Sequence, residues 1–511
     1  MKINENKDAF LKGTVSLSVA VILTKIMGVL YKVPLSYILG DEGMGYFNSA
    51  YAIYSFLYIL CSSGVPKAIS ISLAERGEGV KDNAAYSLLK NAVVLFMKIG
   101  IAITAINILC APALVNLIGN KKSLYTVIAI APSMIFVSVS GVLRGAMNYY
   151  NKLSKIALSQ LIEAVIKLVL GLGLAFLGSS MRLPLPVICG MCVLGITIGS
   201  SVSAAYLYVA FKTMFFIEKT EQSDTQSKEM LKKSIYKIAL PISFGAAMLN
   251  LGGVIDLGII MNRLTDFGMT ESEANAIYGN YTTLAVPMVN LVISLISPIM
   301  LAFLPKLACA YNDHHRDEAI SVLRKMLYVH GAIAIPAACA FYFYSFELLD
   351  ILFSVSSAAI GAELLIILSL GLALLSLLTI VNTALEAQGS IRLSVISLII
   401  GSVVKAVGNF ILIARFGVIG APLSTVISYG ISFLISLIGM RDISSIMAVI
   451  RISLFDFVSA VICFTIPYAL IYSSGSGERG LLTCILSSLL SCILYFAVFT
   501  LRFLKLDKEK C

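Results

Sequence analysis

A chain of 511 residues, 59% hydrophobic and only 13% charged, is not a soluble globular protein, in which about 25% of residues are charged. Its basic excess, 38 Lys and Arg against 28 Asp and Glu, is not a nucleic-acid footprint either, because the basic residues gather in alternate loops between long apolar runs. The composition points to an all-α polytopic membrane protein.

Apolar runs fall at about 13–39, 46–75, 89–117, 123–147, 154–178, 184–211, 235–261, 278–305, 322–346, 359–385, 393–414, 418–439, 452–473 and 480–503. Roughly 20 such residues cross a bilayer, so about 14 transmembrane helices are expected. Charge orients them. With the N-terminus cytoplasmic, that side receives Arg76 and Lys81, Lys152 and Lys155, and six lysines between 212 and 237. It also receives Arg316, Arg324, Lys325, Arg392, Arg441 and Arg451, and a tail with Arg502, Lys505, Lys508 and Lys510. The opposite side receives mainly Lys121, Lys122, Arg182, Arg263, Arg415 and Arg479. Basic residues favour the cytoplasmic side, so both termini are expected inside. Residues 2–12 carry Lys2, Lys7 and Lys12, but no small-residue cleavage site closes the first run, so no cleavable leader is expected.

The first run holds "LTKIMGVLYKVPL", with Lys25 and Lys32. A central lysine costs about 2.5–3.5 kcal/mol on insertion scales. Seven residues apart, the two share a helix face and lie roughly 10 Å apart along the axis, with Gly28 between them. They are expected to face protein or a water-filled cavity. Lys32, nearer the outer end, has the option of snorkelling, and Lys25 that of a structural ion pair. In the second run, Gly64 and Pro66 of "SSGVPKAIS" loosen the helix beside Lys67. Lys67 is either a third cation of the same site or an interfacial lysine at a helix end.

The fifth run places Glu163 and Lys167 at i and i+4 with the acid first, the favourable order for a helical ion pair. Asp256, in "LNLGGVIDLGII" of the seventh, is a lone carboxylate. It would either pair with a lysine of the first run or bind a coupling proton or Na⁺. Arg144 and Glu386, near cytoplasmic helix ends, read as loop-positioning residues.

Most of the ten cysteines lie inside apolar runs, and Cys189 and Cys192 of "CGMC" read as small apolar helix residues. His314 and His315 sit in the polar loop "YNDHHRDEA" without metal-site spacing. No phosphate-binding glycine loop or nucleophile elbow occurs. Neither a metal, a cofactor nor catalysis is expected, nor a nucleic-acid partner.

The longest polar stretch, "EKTEQSDTQSKEMLKKS" at 218–234, divides the chain into halves of similar length. "SQLIEAVIKLVLGLGLAF" (159–176) and "SLIIGSVVKAVGNFILIA" (397–414) each form the fifth run of their half, and aligning them sets Lys167 opposite Lys405. Paired halves are a common transporter plan.

At these residues the chain resembles a known family. "KGTVSLSVAVILTKIMGVLYKVPLSYILGDEGMGYFNSAYAIY" (12–54), "SSGVPKAISISLAE", "VLRGAMNYYNK" (142–152), "SQLIEAVIKL", "LNLGGVID" and "ALEAQGSIRLSVISLIIGSVVK" (384–405) are similar to bacterial oligosaccharide-lipid flippases of the stage V sporulation protein B and polysaccharide exporter group. The superfamily also holds multidrug MATE exporters and lipid II flippases. The resemblance spans essentially the whole chain. It implies a MATE-like fold of two pseudo-symmetric six-helix lobes, at 1–211 and 235–440, joined by a cytoplasmic linker at 212–234, with two extra helices and a basic tail at 441–511. It implies a central cavity that alternates between the two faces. Lipid II flippases hold the lipid diphosphate with cations of the first two helices: Lys25 matches one such position, Lys67 another less closely, and Lys32 falls one residue beyond a third. The basic residue of the family's eighth helix has no counterpart in "YGNYTTLAVPMVNL".

The expected function is therefore that of a monomeric flippase in the bacterial cell membrane. Its cargo is an undecaprenyl-diphosphate-linked sugar, a peptidoglycan, sporulation or other envelope precursor, bound by Lys25, Lys32 and Lys67. Asp256, Glu163 and Lys167 serve as coupling or ion-pair residues, with Na⁺ or H⁺ as the coupling ion. The alternative is a MATE-type cation-coupled multidrug exporter with Asp256 as coupling site; the cationic first run argues against organic cations as cargo. A third reading is a membrane enzyme or scaffold of envelope synthesis.

The charge pattern makes a topological prediction. In a cysteine-free background, a cysteine at Ser223 resists membrane-impermeant thiol reagents in intact cells, while one at Ser476 is labelled. Equal labelling of both would sink the arrangement.

Overall fold

A computed structural model describes residues 2–74, 83–214, 235–312, 315–440, 443–473 and 481–508. The polar linker from 215 to 234 lies outside the described residues. Regular structure among the described residues is entirely helical. The helices are α1 (Lys2–Ser62), α2 (Val65–Ala74), α3 (Asn83–Ile118), α4 (Leu124–Ile130), α5 (Ser133–Tyr149), α6 (Leu153–Ser180), α7 (Leu185–Met214), α8 (Leu240–Asp266) and α9 (Glu271–Asn280). They continue with α10 (Val286–Asn312), α11 (Arg316–Val329), α12 (Ile335–Phe343), α13 (Ser345–Asp350), α14 (Val355–Ala387), α15 (Ile391–Phe416), α16 (Gly420–Ile438), α17 (Ile443–Ser473) and α18 (Leu481–Lys508).

The described residues of every apolar run are predominantly helical. Ten segments of the described residues are long and apolar enough to cross a membrane. Two of these ten each join neighbouring runs, over Val19–Ala74 and Ile391–Ile438. With α8 and α18 covering two more runs, the fold accords with about fourteen crossings. The first join turns at Gly40, whose φ of 65° and ψ of −178° break α1 into two arms. That region is open only to glycine, other residues paying about 1–3 kcal/mol.

The chain forms two compact units, Met1–Asn262 with Thr270–Gly279, and Arg263–Met269 with Asn280–Cys511. In the first, α6 and α7 form an antiparallel hairpin against which α1 packs. The two helices meet at glycines: a methyl group on Gly195 would lie 2.6 Å from the backbone of Gly171, and one on Gly199 would lie 2.9 Å from the Glu163 carbonyl. Without a hydrophobic drive between helices in lipid, such small-residue approaches give the dispersion contact that holds them together.

The second unit repeats this hairpin in α15 and α16. Ser203 Oγ donates to the Ser159 carbonyl at 3.0 Å in the first unit, and Ser432 Oγ donates to the Ser397 carbonyl at 3.0 Å in the second. Gly199 lies against the carbonyl of residue 163, and Ser428 Oγ donates to that of Gly401 at 2.8 Å. The pairs 159/397 and 163/401 are those set opposite each other by the alignment of Lys167 with Lys405. The internal repeat thus extends to individual interhelical contacts.

The glycine seam is testable by thermal unfolding in detergent. Gly195→Ala should destabilise by about 1–3 kcal/mol through overpacking. Gly173→Ala, on the same hairpin with nothing within 4 Å of the added methyl, should be neutral or stabilise by up to about 1 kcal/mol through helix propensity. Equal melting of the two would show that the seam is not tight.

Candidate functional site

The first compact unit holds an open cavity of about 460 Å³ among α1, α5, α6 and α7. Val21 and Thr24 line it from the first arm of α1, and the stretch from Tyr51 to Ile59 from the second. Arg144 comes from α5, Gln160, Glu163 and Lys167 from α6, and Ile196 from α7. The spacing of Tyr51, Tyr54 and Tyr58 sets three aromatic rings on one helix face. Their centroids are 5.6 and 5.5 Å apart in sequence order. Phe47 extends the ladder, stacked 6.0 Å from Tyr51.

One end of the cavity is cationic. Lys167 Nζ lies 5.2 Å from the Tyr31 ring centroid and 5.3 Å from that of Tyr51. Lys32 Nζ lies 6.0 Å from the same Tyr51 ring and donates to Asn48 Oδ1 at 3.3 Å. An ammonium within about 6 Å of a ring face is attracted by the ring quadrupole, most strongly when desolvated. No described residue forms an ion pair with Lys167. Tyr31 is held in place: it is buried, hydrogen-bonded to Cys192 Sγ at 2.9 Å, and seated where Gly171 leaves no Cβ in its way.

The other end is neutralised. Arg144 Nη2 meets Glu163 Oε2 at 3.0 Å, with side-chain exposures of 13% and 21%, so the pair is largely shielded. Arg144 Nη1 donates to the Tyr58 hydroxyl at 3.2 Å, and Ser200 Oγ to Glu163 Oε1 at 3.4 Å.

The structure distributes the residues singled out by sequence as follows. Lys32 and Lys167 come together around Tyr51. Lys25 is exposed, with no hydrogen bond or ion pair among the described residues, on the face of α1 that carries Val21 and Thr24. Lys67 is exposed on α2, away from the cavity lining. Asp256 is half-buried in α8, in the same compact unit but outside the lining. Glu163 is ion-paired, but with Arg144 and not with Lys167. One turn along α6, the Lys167 ammonium turns to the tyrosine rings, and the guanidinium from α5 takes the carboxylate through Nη2 while its Nη1 holds the Tyr58 hydroxyl.

Sequence reasoning missed Arg144 as part of the site, together with Gln160 and the tyrosine ladder. The ladder had a signal, the helical spacing of aromatics in "FNSAYAIYSFLY". Arg144 had none, since its partner is on another helix.

Comparison with known proteins gives a consistent picture. The family model described as "Lipid II flippase MurJ" matches residues 35–488. "Stage V sporulation protein B" of Bacillus subtilis (strain 168) is 23% identical over 482 residues, covering 91% of this chain and 90% of the relative. A solved structure of "Lipid II flippase MurJ, inward closed conformation" superposes with a TM-score of 0.69 at 17% identity, covering 96% of this chain and all of that one. An inward-facing MATE family multidrug transporter gives 0.66 at 15% identity, covering 86% of this chain and 98% of that one. At these identities the structural likeness speaks for the fold.

The ion pair predicts a coupling. Arg144→Met and Glu163→Gln should each destabilise the protein, Glu163→Gln by about 3 kcal/mol because it strands a shielded guanidinium. The double variant should lose clearly less than the sum. Additive losses in detergent melts would show that the two charges do not support each other.

Proposed function

The chain belongs to the lipid II flippase MurJ family, and from that premise we propose that it carries a polyprenyl-diphosphate-linked sugar across the bacterial cell membrane, with Lys32, Lys167 and Lys25 compensating the diphosphate. The protein is a multi-pass membrane flippase of lipid-linked precursors. The observation that supports the assignment of the cations is the approach of Lys32 and Lys167 to one tyrosine ring, with Lys167 lining the cavity. Two like charges in a low-dielectric site repel each other, and each bears a desolvation cost. An anion between them reverses both terms. Lysine suits the task as a flexible point charge for phosphate.

Lys25 extends the cationic face one turn or two toward the N-terminus of α1, where its exposure leaves it able to meet a lipid-borne anion first. Lys67, exposed on α2 and not on the arm of α1 that carries Val21 and Thr24, is left out of the bound state in this reading. The sugar travels in the cavity while the polyprenyl chain stays in lipid. No covalent bond changes, so no catalytic residue is assigned. With both termini cytoplasmic, the inside-negative potential favours outward movement of the anionic head by about 2.3 kcal/mol per charge per 100 mV. Asp256 is retained as the residue that binds a coupling Na⁺ or H⁺, and the working unit is a monomer. An organic-cation exporter is disfavoured by the same cavity: Lys167 lines it without a carboxylate partner among the described residues, and its carboxylate, Glu163, is already taken by Arg144.

Transport of a fluorescent lipid-linked precursor in proteoliposomes tests this. Lys167→Ala and Lys25→Ala should each abolish flipping or nearly so, without loss of membrane insertion, since removing a charge makes insertion easier. Lys167→Arg should keep part of the activity, because Arg also binds phosphate. Lys25→Glu should be worse than Lys25→Ala. Wild-type flipping by Lys167→Ala and Lys25→Glu together would overturn the assignment of the cations.

A further inference from the structure

We infer that the neutralised end of the cavity, formed by Tyr54, Tyr58, Gln160 and the Arg144–Glu163 pair, is a subsite for the first sugar ring attached to the diphosphate. This inference rests on the flippase reading above and adds to it the part of the cargo that the cations do not explain.

The cavity changes character along its length. At Tyr51 it presents the Lys167 ammonium, with Lys32 on the same ring behind the lining. At Tyr58, seven residues and roughly 10 Å farther along the helix, Arg144 and Glu163 cancel each other. A ligand that fits carries an anion at one end and a neutral polar group at the other. The volume of about 460 Å³ lies within the roughly 300–1,000 Å³ typical of small-molecule sites, so there is room beside a diphosphate for a further group.

The walls say which group. The tyrosine ladder supplies aromatic carbon surface with hydroxyls at its tips. A pyranose ring has the matching build, with an apolar C–H face and a rim of hydroxyls, and the C–H groups contact aromatic surface favourably. The hydrogen-bonding capacity left over points the same way. Gln160 Oε1 and Arg144 Nε are buried and have no hydrogen-bond partner, whereas buried polar groups in folded proteins are nearly always paired. One is an acceptor and the other a donor. The Tyr58 hydroxyl receives a bond from Arg144, which leaves its own proton to donate. An acceptor and two donors around an aromatic wall suit hydroxyl and acetamido groups. A second anion does not fit beside Glu163, and an apolar chain would leave these groups unmet.

The test uses the full-length protein in nanodiscs and two probes: undecaprenyl diphosphate, and the same lipid carrying one N-acetylglucosamine. Wild type should bind the sugar-bearing probe roughly tenfold tighter than the bare one. Tyr58→Phe combined with Gln160→Leu should remove that preference and leave the affinity for the bare probe unchanged, which also shows that the variant is folded. Lys167→Ala should weaken both probes by the same factor. Equal binding of the two probes by wild type, or a preference that survives in the double variant, overturns the sugar subsite and leaves the flippase reading standing. If neither probe binds above a phospholipid control, the flippase reading falls and the subsite with it.

Discussion

A charged side chain at membrane depth must be compensated, and the first compact unit is organised around the ways it meets that constraint. Lys167 is faced by the rings of Tyr31 and Tyr51 instead of a carboxylate. That solution needs the Tyr31 ring to be fixed, and it is fixed by a hydrogen bond to Cys192 and by the notch at Gly171. The notch lies in the seam where Gly195 meets Gly171. Cation, ring and glycine seam are therefore one construction: widening the seam would loosen the ring, and loosening the ring would leave an ammonium without compensation. Aromatic faces stabilise a cation less than a carboxylate does, and they leave its charge available. An ion pair such as Arg144–Glu163 consumes the charge instead. Both solutions occur in one cavity, and the contrast between them is what gives it a positive and a neutral end.

The repeat shows which parts of this are scaffold. The α15–α16 hairpin reproduces the serine-to-carbonyl contacts of α6–α7 at aligned positions. It does not reproduce the carboxylate, because Gly401 stands where the first half has Glu163. Small residues at the seam are required by close helix approach in either half. The charged pair is not required by packing, since the second hairpin is formed without it. Its presence in the first half calls for a reason other than assembly, and the cavity offers one.

The architecture was legible because hydropathy and loop charge are strong, local signals. Each apolar run became predominantly helix, and the break at Gly40 fell between the first two runs. Within runs, the break at Ser63–Gly64 was legible from Gly64 and Pro66, but the other interruptions were not. The fourth splits into α4 and α5, the eighth passes through a π-turn at Tyr281–Ala285, and the ninth through another at His330–Ala334. Hydropathy is indifferent to one extra residue per turn. For the site, the lysines at 25 and 32 stood out because a charge in an apolar run is conspicuous; the same arm of α1 carries the lining residues Val21 and Thr24. The i,i+4 rule misassigned Glu163. It describes isolated helices, where the two side chains have no other neighbours. In the bundle, Arg144 on α5 competes for the same carboxylate, and local periodicity carries no information about a neighbour brought in by tertiary packing.

The sequence also departs from the pattern its resemblance implies, and the structure gives that departure a physical sense. The resemblance calls for a basic residue on the eighth run, and "YGNYTTLAVPMVNL" has none. A diphosphate needs compensating charge within a few ångströms, but Coulomb attraction does not specify the helix that supplies it. Lys167 lies on α6 and faces the same Tyr51 ring as Lys32, so it furnishes a cation at the cavity from a different element. On the flippase reading we propose, this bears on the cargo. A cation on α6 stands one turn from Glu163 and two from Gln160, so an anion held at Lys167 would lie next to the tyrosine ladder. The compensating charge and the polar groups offered to the head group would then be set by a single helix.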